Sequence, residues 1–143
     1  MSVSFILEKW PVVLVKFHQI NNKNNKNNNI DLFLQKWKTL YSYKTQFDMI
    51  FDTRELSSFS MKDIFKISQF MMKVRKYNPQ YCKNTIMVVK KQYIKTLLNM
   101  VFSFQKPFTK YYLHMTQSAN LDLYELYNNR DLYPEKFTIT LPK

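Results

Sequence analysis

FDMIFDTRELSSFSM, residues 47–61, is the stretch whose reading decides the fold. Its first five residues are apolar apart from Asp48, and Asp52, Thr53 and Arg54 close them off. That is the pattern of a strand buried on both faces. The second half is a polar turn that opens a helix, because Ser60 followed three residues later by Asp63 fits an N-terminal cap. A buried strand that hands a short loop to a helix N-terminus is the usual site-bearing unit of an α/β sheet, where ligands sit beyond the carboxyl ends of strands. Loop 55–62 is therefore the candidate partner-binding loop, with Glu55, Ser57, Ser58, Ser60 and Lys62 as its contact residues.

Working outward, residues 3–7 and 12–17 are two strand candidates, close enough across 8–11 for a hairpin. Pro11 is tolerable at the start of the second strand, and Trp10 is expected to shield an edge. NNKNNKNNN, residues 21–29, has no apolar residue to bury and reads as a flexible surface loop. Residues 30–43 have helical spacing, with Ile30, Phe33, Leu34, Trp37, Leu40 and Tyr41 on one face and Trp37 in the core. Beyond the central strand, 61–77 is a second helix. Ile64, Ile67, Ser68, Met71 and Val74 make its inner stripe, widened by Phe65, Phe70 and Met72, while Lys66, Lys73 and Lys76 stand outward. Asn78 and Pro79 end it.

A β-branched strand at 85–89, a helix at 90–104 and a strand at 110–115 follow. Asn120 is the expected cap of a short last helix carrying Leu121, Leu123, Tyr124, Leu126 and Tyr127. In the tail, FTITLP either pairs as an edge strand or stays loose. The order ββαβαβαβα implies one α/β domain over 1–132 and a tail over 133–143. The expected sheet is mixed and mostly parallel, with four to five strands, about four helices and an antiparallel hairpin at its entry.

Composition narrows the partners. At 143 residues, 45% hydrophobic and 17% aromatic, the chain can bury a real core. It has no glycine, so turns must use Asn, Asp, Ser, Pro or Lys, and Gly-rich phosphate cradles are excluded. The single cysteine, Cys82, cannot form an intrachain disulfide, which fits an intracellular, cytoplasmic protein that is not secreted. No apolar run approaches the ~20 residues that span a bilayer. Net charge is +12, and residues 64–121 contain ten basic residues and no acidic one. Lys73, Arg75, Lys76, Lys83, Lys90, Lys91 and Lys95 form the candidate patch for an anionic partner, nucleic acid included. The plainer reading is a solvated lysine surface inflated by the codons of an AT-rich genome.

With these elements placed, residues 11–127 resemble the STAS domain, the fold of bacterial anti-sigma-factor antagonists and of sulfate-transporter cytoplasmic tails. VVLVKF resembles that family's second strand, IDLFLQKWKTL its first helix and FDMIFDTREL its central strand. SSFSMKDIFKISQFMMKV resembles the following loop and helix, and NTIMVV with KQYIKTLLNMVF the next strand and helix. The resemblance implies a regulatory or scaffold domain acting by protein–protein contact. It departs where the antagonists carry a phosphorylated serine: with Leu56 on the family's leucine, Ser60 falls on its aspartate, Met61 and Lys62 on its two serines, and Asp63 on its glycine.

Catalytic constellations are thin. His18 and His114 lie on different strands and could meet only if those strands were neighbours. A Cys82–His114 pair is the one nucleophilic combination available, and Asp48 with Asp52, on one side of the central strand, is the one bivalent-cation candidate. No complete catalytic, cofactor or metal motif is present. The expected role is a non-enzymatic interaction domain binding through loop 55–62 and the exposed face of the second helix. The alternatives are a basic nucleic-acid-binding protein, with Tyr77, Tyr81 or Tyr93 stacking on bases, or a protein docked onto an anionic membrane or built into a larger assembly such as a viral particle. Against nucleic acid, only three arginines are present and no recognised motif appears.

Overall fold

The computed structural model describes residues 2–19, 29–58 and 60–142, without the side chains of Asn29 and Phe104. Of the Asn-rich stretch expected to be a loop, residues 21–28 lie outside this description. Six strands and four α-helices follow one another as β1 (Ser2–Ile6), β2 (Val12–His18), α1 (Asn29–Leu40), β3 (Phe47–Asp52), α2 (Met61–Val74), β4 (Cys82–Val89), α3 (Gln92–Phe104), β5 (Lys110–Met115), α4 (Leu123–Asn128) and β6 (Thr138–Thr140). The sheet therefore has six strands rather than four to five. The sixth is built by the tail: β6 pairs antiparallel with β5, so edge pairing won over a loose end.

Spatial order equals chain order, β1 to β6. The β1–β2 pair is antiparallel, and the pairs β2–β3, β3–β4 and β4–β5 are parallel. Each parallel crossover steps one strand in the same direction. A constant crossover hand then puts α1, α2 and α3 on the same face. Their buried residues, Phe33, Trp37, Ile64, Met71, Val74, Ile94, Leu97 and Val101 among them, share one core with Val13, Phe51, Met87 and Tyr111 of the sheet. The opposite face is covered thinly. Leu123 and Leu126 of α4 close over Leu14, Ile50, Ile86, Val88 and Tyr112, with Phe137 of the tail against the same cluster.

Period-two alternation on β3 explains the central strand: Phe47, Met49 and Phe51 face the three helices, while Ile50 faces α4. Every β3 residue is buried except Asp48, which is half-buried. Asp48 sits where the β3–β4 register shifts between Phe47 and Met49. Its carboxylate accepts from the Asn84 backbone N–H at 2.9 Å and the Asn84 amide at 3.1 Å. It also accepts from the Tyr127 hydroxyl of α4, with Arg130 at 4.0 Å. A charge inside an apolar strand is thus tolerated because its oxygens are met from three sides.

Aromatic packing dominates the larger core. Trp37 lies 4.9 Å from Phe70, 5.4 Å from Phe51, 5.7 Å from Phe33 and 6.2 Å from Phe108, centroid to centroid. Trp10 packs on Phe47 at 5.8 Å and on Tyr43 at 5.1 Å, closing the hairpin end of the core. Without glycine, the left-handed position behind the short 3-10 turn Tyr41–Tyr43 falls to Lys44, at φ 52° and ψ 39°. A β-carbon there costs about 1–2 kcal/mol. At the last helix the expected cap is corrected. Asp122, not Asn120, caps α4, accepting from the N–H groups of Tyr124 and Glu125 at 3.1 Å each. A carboxylate at a helix N-terminus gains from the dipole as well as the hydrogen bonds, which the Asn amide would not.

Candidate functional site

The segment after β3 is held at both ends. Thr53 donates its backbone N–H and its hydroxyl to the Val88 carbonyl, at 2.9 and 2.8 Å, so the chain leaves the sheet at a set point. Asp52 takes Arg54 in a two-pronged ion pair, Nε–Oδ1 2.8 Å and NH2–Oδ2 2.9 Å, with the side chains only 10% and 13% exposed. The remaining Arg54 nitrogen donates to the Ser118 carbonyl at 3.0 Å, tying this loop to the one after β5. Burial alone would push the Asp52 carboxyl up. The Arg54 hydrogen bonds and charge, with Lys16 alongside, instead hold it below the ordinary carboxylate range.

Leu56 is fully buried beneath the loop and serves as its anchor. Glu55 reaches back to His18 Nδ1 at 2.5 Å, and the Ser57 N–H donates to the Gln19 side-chain oxygen at 3.2 Å. What remains on the outside is Glu55, Ser57, Ser58, Ser60 and Lys62, all exposed. The Ser60 hydroxyl accepts from the Asp63 N–H at 3.0 Å, the cap expected of this pair. Ser60→Ala should therefore cost about 1 kcal/mol of stability in chemical denaturation. A loss under ~0.3 kcal/mol would mean that other contacts hold the start of α2.

Beyond the cap, α2 is apolar on two sides. Ile64, Met71 and Val74 are buried as expected, but Phe65 and Met72 do not widen that stripe. Phe65 is 63% exposed, Met72 53% and Met61 60%. At 100° per residue, positions 61, 65 and 72 fall within about 40° of one another, well away from the buried face. The i, i+4, i+11 spacing carries this second stripe in the sequence, although apolar residues beside an inner stripe read as its margin. Lys62 and Lys73 stand exposed beside this outer stripe, whereas Lys66 turns to α1 and pairs with Asp31 at 3.1 Å.

The seven basic residues of the candidate patch do not converge. Lys73, Arg75, Lys76 and Lys83 lie where α2 ends and β4 begins, at the amino end of the parallel strands. Lys90, Lys91 and Lys95 lie where β4 ends and α3 begins, at the other end. The length of β4, roughly 25 Å, separates the two groups. Arg75 also donates to the Lys106 carbonyl. Tyr77 stacks edge-on against Tyr41 at 4.9 Å and Tyr81 is half-buried, leaving Tyr93 as the exposed ring of the three.

The enzymatic constellations come apart as well. β2 and β5 are separated by two strands, so His18 and His114 are not neighbours, and His114 Nδ1 donates to the Lys136 carbonyl at 2.9 Å. Cys82 begins β4 while His114 pairs with Val88 near its end, about 20 Å along the strand. Burial, and then the Asp48 charge, push the Cys82 thiol up, away from thiolate chemistry. Asp48 and Asp52 do share a side of β3, but about 13 Å apart and each with its own partners, so one ion cannot bridge them. Among the described residues no three His, Cys, Asp or Glu side chains gather as a metal site, and no helix is long and apolar enough to cross a membrane. Parallel strands in unbroken spatial order also have no point where the winding reverses, which is where a ligand crevice opens in doubly wound sheets. Comparison with protein-family models, with curated proteins and with solved structures finds no match for the chain.

Proposed function

We propose that this protein is a non-enzymatic, STAS-like interaction domain that works inside cells by binding a partner protein across the outer face of α2 and loop 55–62. One observation carries the reading: Met61, Phe65 and Met72 form an exposed apolar stripe on a helix whose opposite side is already packed. Isolated exposed apolar residues are ordinary, but three aligned along nearly three turns make a strip of the kind that seats an amphipathic helix or strand. Lys62 and Lys73 lie along one side of it, so the complementary partner surface has an apolar centre and an acidic margin on that side. Loop 55–62 continues the strip with hydroxyls and one charge of each sign, a polar rim around an apolar middle. The division of the basic residues between two ends of the sheet supports this reading over a single nucleic-acid track.

The test is capture of partners from the native source by wild-type protein and by a Phe65→Ser/Met72→Ser variant, each eluted along a salt gradient. A partner retained by wild type at moderate salt and lost from the variant, at unchanged stability, is the expected result. Material captured equally by both and released steeply as salt rises, roughly 10³-fold for six or more phosphate contacts, would point to nucleic acid instead.

A further inference from the structure

The sheet ends in two edge strands, β1 and β6, and β6 is the barer of them. All three of its residues are exposed, and its outer side has no strand partner among the described residues. Such an edge offers a row of N–H and C=O groups to any strand that can reach it, and proteins usually blunt it with charge, proline or a bulge. From Phe137 to Leu141 the chain reads FTITL, with no charge and no proline, and its register with β5 runs without a shift.

Pairing with β5 fixes the two faces of this edge, because directly opposed residues share a face. Ile139 lies opposite Tyr112 of the core under α4, and Phe137 packs on that same cluster. Thr138 and Thr140 lie opposite Leu113 and Tyr111 of the core under the three helices. One face is thus apolar and the other carries two hydroxyls. Ile139 is 38% exposed and Leu141 66%.

The symmetry of the segment says what fits it. Read outward from Ile139, either direction meets a threonine and then a large apolar residue, Phe137 one way and Leu141 the other. Antiparallel pairing with a second copy, about a two-fold axis at Ile139, sets Ile139 against Ile139, Thr138 against Thr140 and Phe137 against Leu141. Every pair is then apolar on apolar or hydroxyl on hydroxyl, the kinds that stabilise a ladder. At the other edge, centring on Ser4 of β1 sets Ser2 against Ile6, which is a mismatch. Charge favours the same contact. Two copies of a +12 chain repel at long range, but residues 130–142 balance Arg130 and Lys136 against Asp131 and Glu135, so the copies would meet where each is neutral.

We propose that β6 is a self-association edge, through which two copies pair antiparallel over residues 137–141 and join their six-stranded sheets into one. The seam uses neither α2 nor loop 55–62, so its failure would leave the partner-docking reading untouched. Five residues per copy make a small contact, so the dimer is weak and forms at high protein concentration.

Sedimentation equilibrium of the full chain from ~10 µM to ~1 mM, at ~0.15 M salt, reads the mass directly. Wild type should rise from one chain toward two. Thr138→Lys/Thr140→Lys and Thr138→Glu/Thr140→Glu each set like charges against one another at two places in the seam, and each should weaken self-association roughly tenfold or more. Both positions are exposed, so the far-ultraviolet spectrum and melting temperature should stay close to those of wild type. An equimolar mixture of the two variants restores opposite charges at both places and should recover the two-chain mass. The proposal is overturned by variants that associate as wild type does, by a mixture of folded variants that stays at one chain, or by wild type that stays at one chain at the highest concentration. The last outcome needs no variant, and would leave the edge to a strand from a different protein.

Discussion

Arg54→Ala should be among the most damaging single changes, costing about 3 kcal/mol in chemical denaturation, because it strips the nearly buried Asp52 of its hydrogen-bonded partner and leaves only Lys16 alongside. Both side chains are close to buried, so solvent screens the pair weakly. The loss also removes the strap to the Ser118 carbonyl, which should raise hydrogen exchange in residues 116–121. Asp52→Leu/Arg54→Leu should recover at least half of the deficit, since paired removal leaves no charge stranded.

The pH dependence has a definite sign. In the unfolded chain an aspartate titrates near 3.9, and in the folded protein Asp52 titrates lower. The pair's contribution is therefore complete above the unfolded value and lost as pH falls through the folded one. The gap between wild type and Arg54→Ala should narrow as Asp52 protonates in the variant and close only once pH falls through the lowered value in wild type, below the unfolded aspartate range. A deficit that stays constant from pH 7 to pH 3 would show that Asp52 is not the source of the cost.

Trp37→Ala is the second large effect, about 3–5 kcal/mol. Trp37 is 5% exposed and stands among Phe33, Phe51, Phe70 and Phe108, linking α1 and α2 to β3 and to the segment before β5. Because it already borders a cavity, truncation enlarges an existing void that four stiff rings cannot refill, which puts the cost toward the top of that range. Trp37→Phe keeps most of the ring contacts and discards the orphaned N–H, so it should cost less than half as much. Equal losses for the two variants would mean that the indole nitrogen is met in solution and contributes through a hydrogen bond.

How far the chain could be read in advance follows from which forces are local. The central strand, the Ser60 cap, the core role of Trp37 and the order of elements from β1 to α4 all rest on spacing within a few residues, and each is present. The β-branched run places the start of β4 at Thr85, but the strand begins at Cys82, because the Asn84 N–H finds its partner in the Asp48 side chain, thirty-six residues away. Apolarity points Phe65 and Met72 inward, yet it does not say whether a neighbour exists to cover them, and both are exposed. Glu55, Ser57, Ser58, Ser60 and Lys62 are all exposed and lie within eight residues of chain, whereas the basic patch drew on residues from 73 to 95 and came apart.

By itself the sequence determined the alternation of strand and helix, the absence of glycine-built phosphate sites and the position of the bend after β3, since these depend on residue type and short-range periodicity. Only the tertiary structure decided that three helices share one face, that basic residues divide between two ends, that α2 keeps an uncovered apolar stripe, and that an apolar cavity lies between the sheet and the helices. The reason is physical. Burial, countercharge and hydrogen-bond completion are properties of pairs far apart in the chain, and a linear pattern carries no record of which pairs meet.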